Sequence, residues 1–263
     1  MNNLFERRYK ELIFDILTNG TEEEVRDGNK AITMFGKSLE FQCVLNVFPL
    51  LTSKEMFFKN VKFELKWLLD GLTNVHYLKS NGVSIWDKWA DESGDIGDTY
   101  GRQLRSFNGI DQLKTIIKEL VEFKRSRQLV ISLWNPVAIS QGNRRPCYPM
   151  FQFQYSGGRL NIAITQRSAD VFVGLPYDIA FFTLMLRLVC AYIDEAPGKV
   201  LINIADAHIY VEHIEACKRY LTNETFDLPN LRLNGQDIFN FEPKNVWLTD
   251  YQHCEFIKAK III

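Results

Sequence analysis

Tyr177–Ile193 is the stretch that most limits how this chain can fold. It reads Tyr-Asp-Ile-Ala-Phe-Phe-Thr-Leu-Met-Leu-Arg-Leu-Val-Cys-Ala-Tyr-Ile and is apolar on nearly every face. A surface helix carries one apolar stripe, whereas a helix apolar all round has to be enclosed by other elements. Pro176 sits where a first helical turn accepts proline, because the N–H it lacks would have no partner there. The pattern predicts a central buried helix, and 263 residues are enough to wrap one sizeable core around it.

The rest of the chain supplies both helices and strands. Leu4, Phe5, Tyr9, Leu12, Ile13, Ile16 and Leu17 give residues 2–18 helical spacing, with Gly20 as a stop. Two β-like runs, Ala31–Phe35 and Leu39–Asn46, flank Gly36-Lys37-Ser38. Apolar helices are predicted at Phe57–Leu69 and Ile110–Lys124, and a strand at Gln128–Trp134. Tyr148–Tyr155 and Arg159–Thr165 form a hairpin across Gly157-Gly158. Lys199–Ala205 reads as a strand and Ala207–Leu221 as a helix with His208 and Tyr210 near its start. Between Ile85 and Arg105 the two tryptophans, acids and glycines describe a ligand-facing loop. Strands and helices alternate without a regular βαβ rhythm, and no repeat or linker divides them. The expectation is one α+β domain over residues 1–263.

A formal net charge of −1 gives no global field for nucleic acid or anionic membrane, so phosphate binding needs a local arginine cluster. No DNA binding and no membrane association are expected, since no apolar run reaches the ~18 residues of a membrane span. Cys43, Cys147, Cys190, Cys217 and Cys254 have neither CxxC nor zinc-ligand spacing, so no disulfide framework and no metal are expected. A reducing cytoplasm is the default setting, the host's cytoplasm if the chain is phage-encoded.

The chemistry concentrates around Cys147 and Gln166–Asp178. Cys43, Cys190 and Cys217 read as small core hydrophobes. Cys147 differs, because Arg144 and Arg145 precede it and Arg167 lies on the next hairpin strand. Cationic neighbours favour a thiolate, and a thiolate can add to an electron-poor ring carbon without a triad. Arg26, Arg127, Arg167 and Ser168 could cradle a phosphate, guanidinium forks matching its geometry; read singly they are ordinary solvated charges. Glu64, amid Phe63, Leu65, Trp67 and Leu68, either faces solvent from the helix's polar edge or is buried for a purpose.

These residues resemble the signature blocks of the thymidylate synthase family, and the resemblance covers almost the whole chain. Phe48–Lys54, Glu64–Asn74, Ile85–Asp91, Tyr100–Arg105, Trp134-Asn135-Pro136, Pro146-Cys147, Gln166–Pro176, Asp206–Tyr210 and Ile257–Ala259 stand in family order. The resemblance implies the thymidylate synthase fold, a mixed β-sheet packed with helices. It also implies a homodimer that uses 5,10-methylenetetrahydrofolate as co-substrate to modify carbon 5 of a pyrimidine nucleotide. Cys147 would add to carbon 6, Glu64 would run a proton-relay water network, and Tyr100 would assist proton removal at carbon 5. Arg26, Arg167 and Ser168 would hold the 5′-phosphate beside Gln166, with Arg127 reaching in from the partner subunit. His208 and Tyr210 would contact the sugar 3′-hydroxyl. Trp86, Trp89, Asp170, Gly174 and Lys54 would face the folate, Lys54 near its glutamate tail.

Four positions depart from the family pattern. Its base-reading Asn is Asp178 here. An amide suits uracil, whereas a carboxyl that shares a proton suits the amino group and bare N3 of cytosine. Asp at this place resembles the dCMP hydroxymethylases of T-even phages; the rival readings are a tolerated change in a uracil enzyme and an unrelated helix N-cap near Pro176. Gln128 stands where the family pairs a second arginine with Arg127. Arg144 and Arg145 replace small or apolar residues beside the folate. Tyr148 replaces the His after the nucleophile, at a position touching ordered water. Asp178 and Tyr148 point to a hydroxymethylase acting on dCMP. Trp86 and the apolar tail Ile257–Ile263 point to methyl transfer, to dCMP or, as in a thymidylate synthase, to dUMP. A non-catalytic nucleotide- or RNA-binding relative is the reading that Gln128 favours.

Overall fold

A computed structural model describes residues 3–25, 28–141, 143–235 and 237–262. The main sheet holds β1 (Thr21–Glu24), β2 (Lys30–Gln42), β3 (Val130–Ser132), β4 (Met150–Ser156), β5 (Arg159–Asp170) and β6 (Ala196–Tyr210). They lie side by side as β1-β2-β6-β5-β4-β3, and β7 (Asn230–Leu233) pairs with β8 (Val246–Thr249) in a separate ribbon. The helices are α1 (Leu4–Asn19), α2 (Phe58–Leu69), α3 (His76–Ser80), α4 (Gly101–Ser106), α5 (Gln112–Glu122), α6 (Pro136–Ser140), α7 (Leu175–Tyr192) and α8 (Ile214–Thr222). This is the expected α+β architecture, a mixed sheet packed with helices in a single domain.

The central helix is where its composition requires it to be. Residues from Leu175 to Cys190 are buried almost without interruption, and α7 packs against β5, β6 and α2. By length and mean hydropathy α7 is able to cross a membrane, against the reading that no run is long enough; 78% of it is buried inside the protein. It is a core helix whose apolar partners are other parts of the same chain. Cys43, Cys190 and Cys217 pack in that core as small hydrophobes.

The β4–β5 hairpin turns at Gly157-Gly158, with φ of +57° and +74° and Ser156 facing Arg159 across the two-residue loop. A turn needing positive φ at both central positions is the one a Gly-Gly pair makes without steric cost. Two expectations change. The two runs around Gly36 form one strand, β2, whose register against β6 is the same at Phe35 and Lys37; Gly36, at φ +76°, bends it without ending it. The helix expected at Ala207–Leu221 begins only at Ile214. Residues 207–210 instead complete β6, because that strand pairs on both sides, Ala31 with Tyr210 and Asp170 with His208. Ladder hydrogen bonds on both edges outweigh local helix propensity.

One buried carboxylate ties the chain's start to the segment that leads into α2. Glu6, fully buried, accepts from the backbone N–H groups of Thr52 (2.9 Å) and Ser53 (2.7 Å). It also accepts from the Asn3 amide (3.0 Å) and from the hydroxyls of Tyr220 (3.0 Å) and Thr52. Removing it leaves buried donors unanswered. Glu6→Ala is therefore expected to cost about 3 kcal/mol or more in urea unfolding, an unsatisfied buried donor being worth roughly 1–3 kcal/mol; an unchanged midpoint would show that the network adds nothing.

Candidate active site

The inner face of the parallel β5–β6 pair changes character along its length. Ile162, Ile164, Ile202 and Ile204 are buried apolar residues, and further along the same alternation come Gln166, Ser168 and Asp170 beside Asp206, His208 and Tyr210. Ser168 faces Asp206 and Asp170 faces His208 in the register. The carboxyl ends of parallel strands are where open sheets place ligands. A cavity of about 520 Å³ opens here, well inside the roughly 300–1,000 Å³ usual for small-molecule sites.

The cavity wall gathers Lys54, Glu64, Trp86, Trp89, Tyr100, Cys147, Arg167, Ser168, Asp170, Gly174, Asp178, His208 and Tyr210. All were singled out in the sequence, and the fold brings them together from seven separate stretches of the chain. Gln166 is fully buried behind this wall. Arg127 is exposed and takes no part in lining the cavity. Arg26 lies outside the described residues.

Cys147 is held from two directions. Its N–H donates to the Tyr100 hydroxyl at 3.0 Å, and its carbonyl accepts from the Arg167 N–H at 2.9 Å. The Arg167 guanidinium donates to the carbonyls of Pro146 (3.0 Å) and Arg145 (3.1 Å) and reaches 4.0 Å from Cys147 Sγ. Tyr100 sits at φ +39°, a backbone state that bulky residues rarely adopt and that ordered sites tolerate. Burial and the nearby Cys147 hold its phenol well above the usual tyrosine range, so it stays protonated.

Glu64 turns inward, not to solvent. The Trp86 indole N–H donates to Glu64 Oε1 at 2.8 Å, and desolvation pushes the carboxyl up to about 7. Asp178, in the first turn of α7, accepts from Gln166 Nε2 at 2.6 Å. Desolvation first and then the Glu64 charge push Asp178 up to about 8. It makes no side-chain cap bond to α7, whose N-cap is Gly174; the cap reading of Asp178 does not hold. Two carboxyls in one low-dielectric space cannot both ionise cheaply, so one is kept neutral near pH 7.

At the other end, Ser168 donates to Asp206 Oδ2 (3.2 Å), and His208 Nδ1 lies 3.5 Å from the same oxygen. Asp170 Oδ1 accepts from the N–H groups of Phe172 and Val173, both at 3.0 Å, which fixes the turn before α7. Lys54 is buried, donates to Phe172 O at 2.6 Å and lies 3.9 Å over that ring. Desolvation lowers its ammonium to about 8. It lines the cavity as a buried cation. The tail contributes Phe256, Ile257, Ala259, Ile261 and Ile262 to the wall, and Lys260 O is 2.9 Å from the buried His213.

Asp206, part of a family block, lines the cavity without having received a role from the sequence. It alternates with His208 and Tyr210 at the period of a strand, a signal hidden by reading the segment that follows as a helix. Arg144, read as a cationic neighbour of Cys147 and as a departure beside the folate, stacks over Trp89 at 4.3 Å. Its neighbour Arg145 is exposed. Tyr148 is buried, its ring 5.1 Å from Tyr100 and 4.9 Å from Phe182.

The raised carboxyls carry a pH signature. A folded state in which Asp178 titrates near 8 instead of 3.8, and Glu64 near 7 instead of 4.5, binds more protons than the unfolded chain between those values. Stability therefore falls as pH rises through that window. Asp178→Asn keeps an acceptor for Gln166 and removes the Asp178 share of the fall. Urea unfolding at about pH 5 and about pH 8 should show the substitution to be more favourable at the higher pH; an equal effect at both would contradict a neutral Asp178.

The cavity joins a cysteine, an inward carboxyl, a guanidinium–hydroxyl pair and two indoles. Such a wall can take an anionic, ring-bearing ligand beside a nucleophile, with flat apolar surface for a second ring. Comparison with protein-family models matches residues 7–263 to the family described as thymidylate synthase. Its members are folate-dependent one-carbon transferases that modify carbon 5 of a pyrimidine nucleotide, with methylenetetrahydrofolate as co-substrate, and are generally dimeric. With nearly its full length matched and the fold in agreement, this chain belongs to the thymidylate synthase family.

Proposed function

We propose that the protein hydroxymethylates carbon 5 of a cytidine monophosphate, dCMP foremost, acting in the cytoplasm as a homodimer. The observation that carries the base assignment is the pairing of the half-buried Asp178 with the fully buried Gln166. Gln166 Nε2 donates to Asp178 Oδ2 and so marks that oxygen as an acceptor. A carboxyl pushed up to about 8 carries its proton at neutral pH, and the proton then resides on Oδ1. One acceptor beside one donor complements the cytosine amino group and bare N3. Uracil offers the opposite order, and a mismatch against buried polar groups can discriminate by roughly 10⁴-fold.

The other residues take the following parts in this reading. The Cys147 thiolate adds to carbon 6 of the base, and proton sharing between Asp178 and N3 makes that carbon more electrophilic. Arg167 and Ser168, with Arg26, hold the phosphate, while His208 and Tyr210 meet the sugar hydroxyl. Tyr100 assists loss of the carbon-5 proton. Glu64, held by Trp86 and pushed up to about 7, can both give and take a proton near neutrality. Methylenetetrahydrofolate supplies the one-carbon unit when bound. Trp86, Trp89 and the tail offer flat apolar surface for it, with Asp170, Gly174 and Lys54 alongside.

Water completes the reaction in this proposal. Tyr148 supports it, placing a phenol that burial keeps protonated within electrostatic reach of Glu64 and Tyr100. The rival is methyl transfer, favoured by the tail residues Ile257, Ala259, Ile261 and Ile262, which cover the cavity with apolar surface. Water has to be excluded for a methyl product and positioned for a hydroxymethyl one.

The deciding assay incubates the protein with methylenetetrahydrofolate and dCMP, CMP or dUMP and weighs the products. A 5-hydroxymethyl product from dCMP with folate left as tetrahydrofolate is expected; accumulation of dihydrofolate would replace the proposal with methyl transfer. Asp178→Asn should move kcat/KM toward dUMP by about 100-fold or more, and an unmoved ratio would refute the base reading. Cys147→Ser should abolish turnover; full biological activity in that variant would support a non-catalytic relative. Because Arg127 stays outside the cavity of its own chain, mixing inactive Cys147→Ser with inactive Arg127→Glu should restore activity through hybrid dimers. No restoration would count against a shared site.

A further inference from the structure

Arg144 is a charged side chain on the cavity wall that the roles above leave unused. Its guanidinium carbon lies 4.3 Å from the Trp89 ring centre and 5.9 Å from that of Trp86. Stacking of this kind holds a partly dehydrated cation against an aromatic face. It does nothing for the in-plane N–H groups. Arg144 Nε is buried and has no hydrogen-bond partner in the protein. An N–H left in that state costs free energy unless a ligand or an ordered water accepts from it.

The backbone on either side of Arg144 is fixed. Asn143 accepts from the Asp98 N–H at 2.6 Å and donates to Ala138 O at 2.9 Å. The Arg145 carbonyl accepts from Arg167 at 3.1 Å. The arginine therefore projects from a tethered segment onto a fixed aromatic platform. That platform is shared, since Trp86 donates its indole N–H to Glu64 at 2.8 Å while its ring faces Arg144. Arg144 and the inward carboxyl of Glu64 thus both border one indole, in the cavity that contains Cys147. A water needs two or more polar partners to be held in such a place, and these two groups supply a donor and an acceptor.

We propose that Arg144 is a positioning residue that holds the attacking water beside Glu64 and so selects water over hydride in the last step. The proposal rests on the hydroxymethyl reading given above. After one-carbon transfer the pyrimidine carries an exocyclic methylene on carbon 5 and the Cys147 sulfur on carbon 6. The water oxygen bonds to the methylene carbon, and the proton it loses goes to Glu64. The electron pair of the exocyclic double bond moves between carbons 5 and 6, the carbon 6–sulfur bond breaks, and Cys147 leaves as thiolate. The competing finish takes hydride from tetrahydrofolate, which builds positive charge on the departing folate. A fixed guanidinium on the Trp89 face disfavours that charge by simple repulsion.

The test compares wild type, Arg144→Leu and Arg144→Lys with dCMP and methylenetetrahydrofolate, weighing 5-methyl against 5-hydroxymethyl product. In parallel, tetrahydrofolate binding to each dCMP complex is followed by quenching of tryptophan fluorescence. Arg144→Leu should raise the methyl to hydroxymethyl ratio by about tenfold or more while tetrahydrofolate affinity stays within about threefold. Arg144→Lys, which keeps charge and loses Nε, should fall between the two, and it decides the question if the leucine variant no longer binds dCMP. An unchanged product ratio overturns the proposal: with affinity weakened about tenfold the arginine is a folate contact only, and with affinity unchanged it is structural. A wild type that makes methyl product alone overturns the hydroxymethyl reading and this proposal with it. A wild type that hydroxymethylates beside variants with the same ratio overturns only the role of Arg144.

Discussion

Parallel pairing of β5 with β6 is the constraint on which the site depends. Its register brings Ser168 beside Asp206 and Asp170 beside His208, residues nearly forty positions apart in the chain. Because side chains alternate, the same two strands give isoleucines to the core at one end and hydrogen-bonding groups to the cavity at the other. A slip of one residue would exchange the two faces, turning the isoleucines out of the core and the polar set away from the cavity. The largely apolar α7 is what makes such a slip costly. The core helix thus secures the geometry of a site to which its first turn gives Tyr177 and Asp178.

The second theme is the cost of carboxyls in a dry space. Glu6 and Asp178 are both acids inside the protein, but they are accommodated in opposite ways. Glu6 is surrounded by donors from Asn3, Thr52, Ser53 and Tyr220. Asp178 has one donor, Gln166, and a neighbouring acid, Glu64, so its charge is disfavoured. The first arrangement is what a structural anchor needs. The second leaves hydrogen-bonding capacity open toward the cavity, as a ligand-reading group needs.

Much of this was legible in the residues. The period and composition of Tyr177–Ile193 demanded a buried helix, Gly157-Gly158 specified the tight hairpin, and the family blocks located most of the cavity wall. The misses have physical causes. Strand β6 beyond Ala205 was read as helix because local spacing cannot register that both neighbouring strands are waiting to pair with it. Asp206, named in a family block, received no role for the same reason. The burial of Lys54 was not legible either, because sequence does not show that the Phe172 carbonyl and ring would draw its ammonium inward. The stacking of Arg144 on Trp89 joins segments more than fifty residues apart, and no local pattern announces it.

Arg167 has a consequence for how such a site can diversify. Its backbone N–H, Nε and Nη2 hold the carbonyls of Cys147, Pro146 and Arg145, respectively. One residue therefore braces the nucleophile's loop while presenting a cation to the cavity, and any change at it disturbs both. Asp178 is attached differently, through a single amide contact from Gln166. If Asp178 reads the base as proposed, recognition at that end can be rewritten by exchanging one side chain, whereas the Arg167 end is locked to the scaffold. On that proposal a fold wired in this way can acquire a new base preference in a single substitution without disturbing the loop that holds Cys147.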